Sequence, residues 1–189
     1  MKKLAAAVLL AATSTLSFAQ TLVLKADRLI DVENGKLISN AVVVIEDDTI
    51  VDAGEARKVT FSKDSKIIEL GDYTLLPGLT DMHVHLTSDA TKHGYKRLAD
   101  SLPRVTLTGV KHAEATLMAG FTTVRNVGAP GFADVALRDA INDGDITGPR
   151  MFVAGPSLGV TGGHCDNNLL PYEYHTVSEG VADGPWAVR

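Results

Sequence analysis

The sequence predicts an α/β chain in two parts. A small β-sandwich occupies residues 20–76, and the first three βα units of a (β/α)8 barrel of the TIM type occupy residues 77–189. Three observations carry this. Residues 21–75 hold short apolar runs separated by turn residues at close spacing, the rhythm of a small all-β domain. After Pro77 the period changes, and strand-like and helix-like segments alternate, the mark of βαβ units with parallel strands. Right-handed crossovers repeated in one direction close into a barrel.

The chain begins with a segment that is not read as part of the fold. Lys2 and Lys3 precede the apolar run Leu4 to Ala12, and Ser17-Phe18-Ala19 offers small residues at the two positions that a signal peptidase reads. Residues 1–19 are therefore expected to be a secretory signal peptide cleaved after Ala19, which places the protein in the periplasm or outside the cell. The run falls short of the ~20 apolar residues of a membrane span, so no stable membrane anchor is expected.

The β-rich part follows. Thr21 to Lys25 is a short apolar strand. Leu29 to Val32 and Lys36 to Ile38 flank Asn34-Gly35, the strongest short hairpin signal. Ala41 to Ile45 is a β-branched run, Glu46-Asp47-Asp48 a turn, and Thr49 to Ala53 the next strand before Gly54. Ile67 to Leu70 is another strand, closed by Gly71-Asp72.

Beyond Pro77-Gly78, Leu79 to Leu86 reads as a strand. Residues 102–119 read as a helix, with Val110, Ala113 and Leu117 on one face and Gly120 as the C-terminal cap. Phe121 to Val127 is a second strand, and Gly128 to Gly131 a loop. A second helix carries Ala133, Leu137, Ala140 and Ile141 and stops near Gly144. Arg150 to Ala154 is a third strand, the glycine-rich stretch Gly155 to Gly163 a loop, and a further helix is expected to begin near Pro185. A complete (β/α)8 barrel takes about 250 residues. Tyr73 to Arg189 is less than half of that, so the chain is expected to be the N-terminal portion of a longer protein.

Composition removes several function classes. The 189 residues are 45% hydrophobic and 22% charged, which is ordinary for a globular protein with a real core. The net charge is −5 and basic residues do not cluster, so nucleic acid is excluded as a partner. The single cysteine, Cys165, permits no intrachain disulfide and is read as a small loop residue. Gly155 to Gly163 lacks the Gly-Lys-Ser/Thr ending of a phosphate-binding loop and the spacing of a dinucleotide motif. The composition leaves a homo-oligomer open.

His83-Val84-His85 is the most informative motif. Residues i and i+2 of a strand point to one face, about 7 Å apart along the chain, where two imidazoles can share one metal ion at about 2.0–2.1 Å each. Asp81 precedes the pair by two and faces the same side, as a hydrogen-bonding carboxylate rather than a ligand. His164 falls in the loop after the third strand, on the barrel's expected catalytic face, and is a candidate substrate contact, with Asp166 a weaker one. Arg125 ends the second strand on the same face and can meet a substrate carboxylate or cap a helix. His93, His112 and His175 have no special context and are read as surface residues, His112 on a solvated helix face.

Leu76-Pro77-Gly78-Leu79-Thr80-Asp81-Met82-His83-Val84-His85-Leu86 closely resembles the barrel entry of the metal-dependent amidohydrolase superfamily. Phe121-Thr122-Thr123-Val124-Arg125-Asn126-Val127-Gly128 resembles its second barrel strand. Gly148-Pro149-Arg150 and Gly162-Gly163-His164-Cys165-Asp166 resemble the third strand and loop of one branch, that of imidazolonepropionase-like proteins and prolidase-like Xaa-Pro or Xaa-Arg dipeptidases. Asn126 departs from the pattern, since relatives usually carry Asp there, and a role that needs charge at that position does not carry over.

The resemblance implies a centre of one or two metal ions, most often Zn2+, with other divalent metals open, and His83 and His85 as two of its ligands. It places the other ligands, a lysine, two histidines and an aspartate, on later strands, so the catalytic residues are expected beyond Arg189 and this stretch alone is expected to be inactive. A metal there lowers the pKa of a bound water toward about 7 and polarises an amide carbonyl. The implied activity is metal-dependent hydrolysis of carbon–nitrogen bonds in a small molecule or short peptide, in first place a dipeptide. A cyclic amide, as for an imidazolonepropionase, stays open, as does a non-catalytic binding module on a degenerate barrel.

Overall fold

A computed structural model describes residues 21–189. The signal-peptide reading of residues 1–19 lies outside the described residues. Among the described residues, no helix is long and apolar enough to cross a membrane. The chain separates into two compact units, Met1–Pro77 and Gly78–Arg189.

The described part of the first unit is one four-stranded sheet. It contains β1 (Leu22–Asp31), β2 (Lys36–Glu46), β3 (Thr49–Glu55) and β4 (Lys66–Leu75), in the order β3-β2-β1-β4. Asn34-Gly35 forms the predicted hairpin turn between β1 and β2. Gly35 adopts φ +63°, and Asp31 Oδ1 accepts the Glu33 and Asn34 N–H groups at 3.1 Å each. The tight β2–β3 connection places Asp47 at φ +54°. Val23, Val42, Val44 and Val59 form the core, with Phe61 packed against it.

Two features differ from the sequence reading. The runs expected as separate strands, Thr21 to Lys25 and Leu29 to Val32, are one continuous β1. Residues 22–26 and 28–31 keep a regular antiparallel register with β2, while the irregularities at Lys25/Ala26 and Ala26/Arg28 fall on the β4 side. A one-sided bulge lets a strand run on. Second, the residues expected to form a sandwich form a single sheet in which β4 pairs with β1 in parallel. A sandwich requires two such layers, and the described residues of this unit supply one sheet.

The second unit alternates as the sequence predicts. Its elements are β5 (Leu79–Val84), α1 (Leu102–Met118), β6 (Phe121–Asn126), α2 (Ala133–Asn142) and β7 (Arg150–Val153). The sheet order is β5-β6-β7 and both pairings are parallel. α1 starts after Ser101 with Pro103 in its first turn, and ends where Gly120 takes φ +95°. Leu86, Ala113, Val124, Leu137 and Met151 form the core, with Val84, Val110 and Ile141 packed against it. Four of these, Val110, Ala113, Leu137 and Ile141, lie on the helix faces predicted from 3.6-residue periodicity. The segment from Pro185 is a turn rather than the start of a helix.

β5 ends two residues earlier than predicted. The Asp81 carboxylate takes the His83 N–H at 3.0 Å, and the register with β6 shifts between Asp81 and Val84. His85 therefore lies in the turn that leaves the strand, its carbonyl accepting the Ser88 N–H at 3.0 Å.

Candidate metal centre

The alternation of the three parallel strands sorts their side chains. Val124 and Asn126 of β6 and Met151 of β7 are buried, while Arg125 and Phe152 are exposed on the opposite face. His83 falls on that open face. His85 follows at the C-terminal end of β5, the end at which parallel α/β sheets build their sites.

The two imidazoles converge. Their ring centres are 5.4 Å apart and their planes meet at 72°. A tetrahedral ion with metal–nitrogen distances of 2.0–2.1 Å holds two imidazole centres roughly 5 Å apart, so the pair fits a shared ion. One ring nitrogen of His85 has a backbone partner. Nδ1 lies 3.3 Å from the Gly128 carbonyl oxygen, to which it donates its hydrogen, leaving the Nε2 lone pair free to bind. Asp81 acts on the backbone of the pair, through the His83 N–H, and not as a third ligand. Among the described residues, no group of three or more His, Cys, Asp or Glu side chains converges on one point.

Arg125 stands beside the pair. Its Nε donates to the Met82 carbonyl at 2.7 Å, the residue immediately before His83, and the side chain remains exposed. This bond fixes the guanidinium to β5; it caps neither helix.

His164 is exposed on the long loop after β7. That loop is organised by two aspartates. Asp166 accepts the N–H groups of Asn167, Gly162 and Ser178 at 2.7, 2.8 and 2.9 Å. Asp183 accepts the Thr161 N–H at 2.9 Å and its hydroxyl at 2.6 Å. The Ser178 and Gly162 amides hold the Asp166 carboxyl below its ordinary value, as the Thr161 hydroxyl and amide do for Asp183. Asp166 therefore shapes the turn that displays His164. Cys165 is half-buried in the same turn, against Gly159.

The sequence reading missed two groups. His112 is not on a solvated face: it is half-buried, and its Nδ1 lies 2.8 Å from the carbonyl oxygen of Leu86, the residue that follows the histidine pair. The signal available was its i−3 and i+1 spacing from Gly109 and Ala113, both buried. Asp134 is completely buried at the start of α2 and binds groups from three segments. Its only sequence signal is an acidic residue in a helix's first turn.

The model of the Amidohydrolase family matches residues 74–187. The chain belongs to this family, and its three parallel strands with their helices are part of a (β/α)8 barrel. Ochratoxinase of Aspergillus niger is 31% identical over 147 residues, which cover 73% of this chain and 29% of that protein. The crystal structure of a Xaa-Pro dipeptidase with methionine bound in its active site superposes with a TM-score of 0.74 at 33% identity, over 90% of this chain and 44% of that one. The A. niger ochratoxinase structure gives 0.76 at 25% identity, over 90% and 42%. A prolidase complexed with N-methylphosphonate-L-proline gives 0.72 at 26%, over 89% and 42%. The chain thus spans less than a third of the curated relatives it matches and under half of these solved structures.

Proposed function

We propose that this chain carries the first part of the metal centre of an exported hydrolase of carbon–nitrogen bonds, acting on a short peptide of the dipeptide class. The observation that carries the reading is the His83–His85 pair, with ring centres 5.4 Å apart and Nδ1 of His85 turned to the Gly128 carbonyl. His83 and His85 would hold a divalent metal, of which zinc suits neutral imidazoles best. When bound, that ion supplies a lowered water pKa and a Lewis acid for the amide carbonyl.

The chain's own residues do the rest of the work assigned here. Asp81 holds the His83 backbone, and the Gly128 carbonyl sets the His85 tautomer. Arg125, anchored through Nε on the strand beside His83, presents its guanidinium to a substrate carboxylate. His164, on the loop after β7, is the second assigned substrate contact. Family membership and the likeness to a Xaa-Pro dipeptidase and a prolidase support a peptide substrate. Export rests on residues 1–19, read as a cleaved signal peptide.

The test is metal analysis and dipeptide hydrolysis on the full-length protein and on the His83→Ala and His85→Ala variants. Each variant is expected to lose bound zinc and at least 100-fold in turnover while staying folded. Stoichiometric zinc and undiminished turnover in both would refute the assignment.

A further inference from the structure

The long loop after β7 is closed on itself. The Gly159 N–H donates to the Gly180 carbonyl at 3.1 Å and the Ala182 N–H to the Gly159 carbonyl at 2.8 Å, which sets Gly159 against Val181 as a parallel bridge. Asp183 joins Thr161, and Asp166 joins Ser178, across the same two arms. His164 lies between these ties. The loop is therefore one piece, and where that piece sits decides where His164 sits.

Its root is well held. The Ala154 and Gly155 N–H groups donate to the buried Asp134 Oδ2 at 3.3 and 3.2 Å. The Gly155 carbonyl takes the Ala129 N–H at 2.9 Å, and the Ser157 hydroxyl donates to the Val127 carbonyl at 3.3 Å. Beyond Ser157 the picture changes. Among the described residues, one hydrogen bond leaves the stretch 158–184: Glu179 Oε2 accepts the Gly131 N–H at 2.9 Å, 48 positions away. A piece held only at its root can pivot; a second attachment on the returning arm stops it. The close approach of that arm needs Gly180, where a Cβ would lie 2.1 Å from the Ser157 carbonyl oxygen.

The corner that receives Glu179 is strained and tightly packed. Gly131 and Phe132 both take left-handed backbone angles, φ +53° and +56°. A ring-bearing residue stays there only where its surroundings hold it. Phe132 lies over Gly155, at which a Cβ would meet its Cε1 at 2.8 Å, and Leu102 closes on Gly131, where a Cβ would meet Cδ2 at 2.5 Å. The Gly131 N–H is thus presented from a fixed point.

We propose that Glu179 is a positioning residue for the substrate contact at His164: its carboxylate, bound to the Gly131 N–H, locks the loop after β7 to the loop after β6. The proposal rests on the reading of His164 as a substrate contact for its kinetic consequence; the tether is a property of the free protein.

The experiment uses the full-length protein and the variants Glu179→Ala, Glu179→Gln, which keeps an acceptor oxygen, and His164→Ala. Amide exchange at Gly131 reads the tether directly. Its protection is expected to fall at least 10-fold in Glu179→Ala and to be largely kept in Glu179→Gln. In dipeptide hydrolysis, Glu179→Ala is expected to raise KM about 3–10-fold at unchanged kcat and zinc content, with Glu179→Gln close to wild type. Added to His164→Ala, it is expected to raise KM no further, because both changes remove one contact. An unprotected Gly131 amide in the wild type, or undiminished protection in Glu179→Ala, would overturn the tether. Lost protection with a wild-type KM, while His164→Ala raises KM, would overturn the positioning role. So would additive effects in the double variant. A wild-type KM in His164→Ala defeats the reading of His164 as a substrate contact, and the positioning role with it, and leaves Gly131 exchange to judge the tether.

Discussion

His112 Nδ1 stands 2.8 Å from the Leu86 carbonyl oxygen, joining the middle of α1 to the residue that follows the histidine pair. The bond is half-buried and ties together two segments 26 residues apart. His112→Ala is expected to destabilise the fold by about 1–2 kcal/mol. The measurement is the urea midpoint at unchanged slope. A midpoint equal to wild type would mean that this bond adds nothing to stability.

Leu137 is 1% exposed and packs from α2 into the core of the second unit, close enough to Gly109 that a Cβ there would lie 3.0 Å from its Cδ2. Leu137→Ala removes buried methyl groups and leaves a cavity that the sheet cannot fill, at a cost of about 2–5 kcal/mol. Leu137→Met conserves volume and is expected to cost less than about 1.5 kcal/mol. Chemical denaturation of both variants checks the difference, and equal midpoints would contradict the packing described.

The Asp166 carboxyl is held below its ordinary value of 3.8 by the Ser178 amide first, then by that of Gly162. A lowered folded-state pKa means that the carboxylate's stabilisation is complete above the ordinary value and disappears as pH falls through the folded one. The turn carrying His164 is therefore expected to loosen below about pH 4. Amide exchange at Ser178 and Gly162, followed from pH 6 downward, should show protection lost on acidification. Asp166→Asn should weaken protection at neutral pH and flatten the profile. Protection in the wild type that ignores pH would exclude this role for Asp166.

Much of the partial barrel was legible in the sequence because its signals are local. The His-x-His spacing picked out two rings that lie 5.4 Å apart, although β5 ends between them, and period 3.6 picked out Val110, Ala113 and Leu137. Asn34-Gly35 announced its own turn. The groups that were not legible depend on partners remote in sequence. His112 meets Leu86 across 26 positions, and Asn126 meets Leu86 across 40. The spacing of His112 from Gly109 and Ala113 points to the inner side of α1, but no neighbouring residue identifies the Leu86 carbonyl as its partner. The same holds for β1: its fusion into one strand depends on β4 absorbing the irregularity, a non-local event.

From its order of residues alone, this protein had a β-rich first part, a parallel α/β second part and a pair of imidazoles at a strand end. Those features follow from backbone periodicity and turn chemistry, which act over a few residues. The pairing of β1 with β4, the end of β5 at Val84 and the buried Asn126–Asp134 contact were decided only by packing. Each sets a group against a partner from another segment, and only a folded chain brings such segments within hydrogen-bond reach.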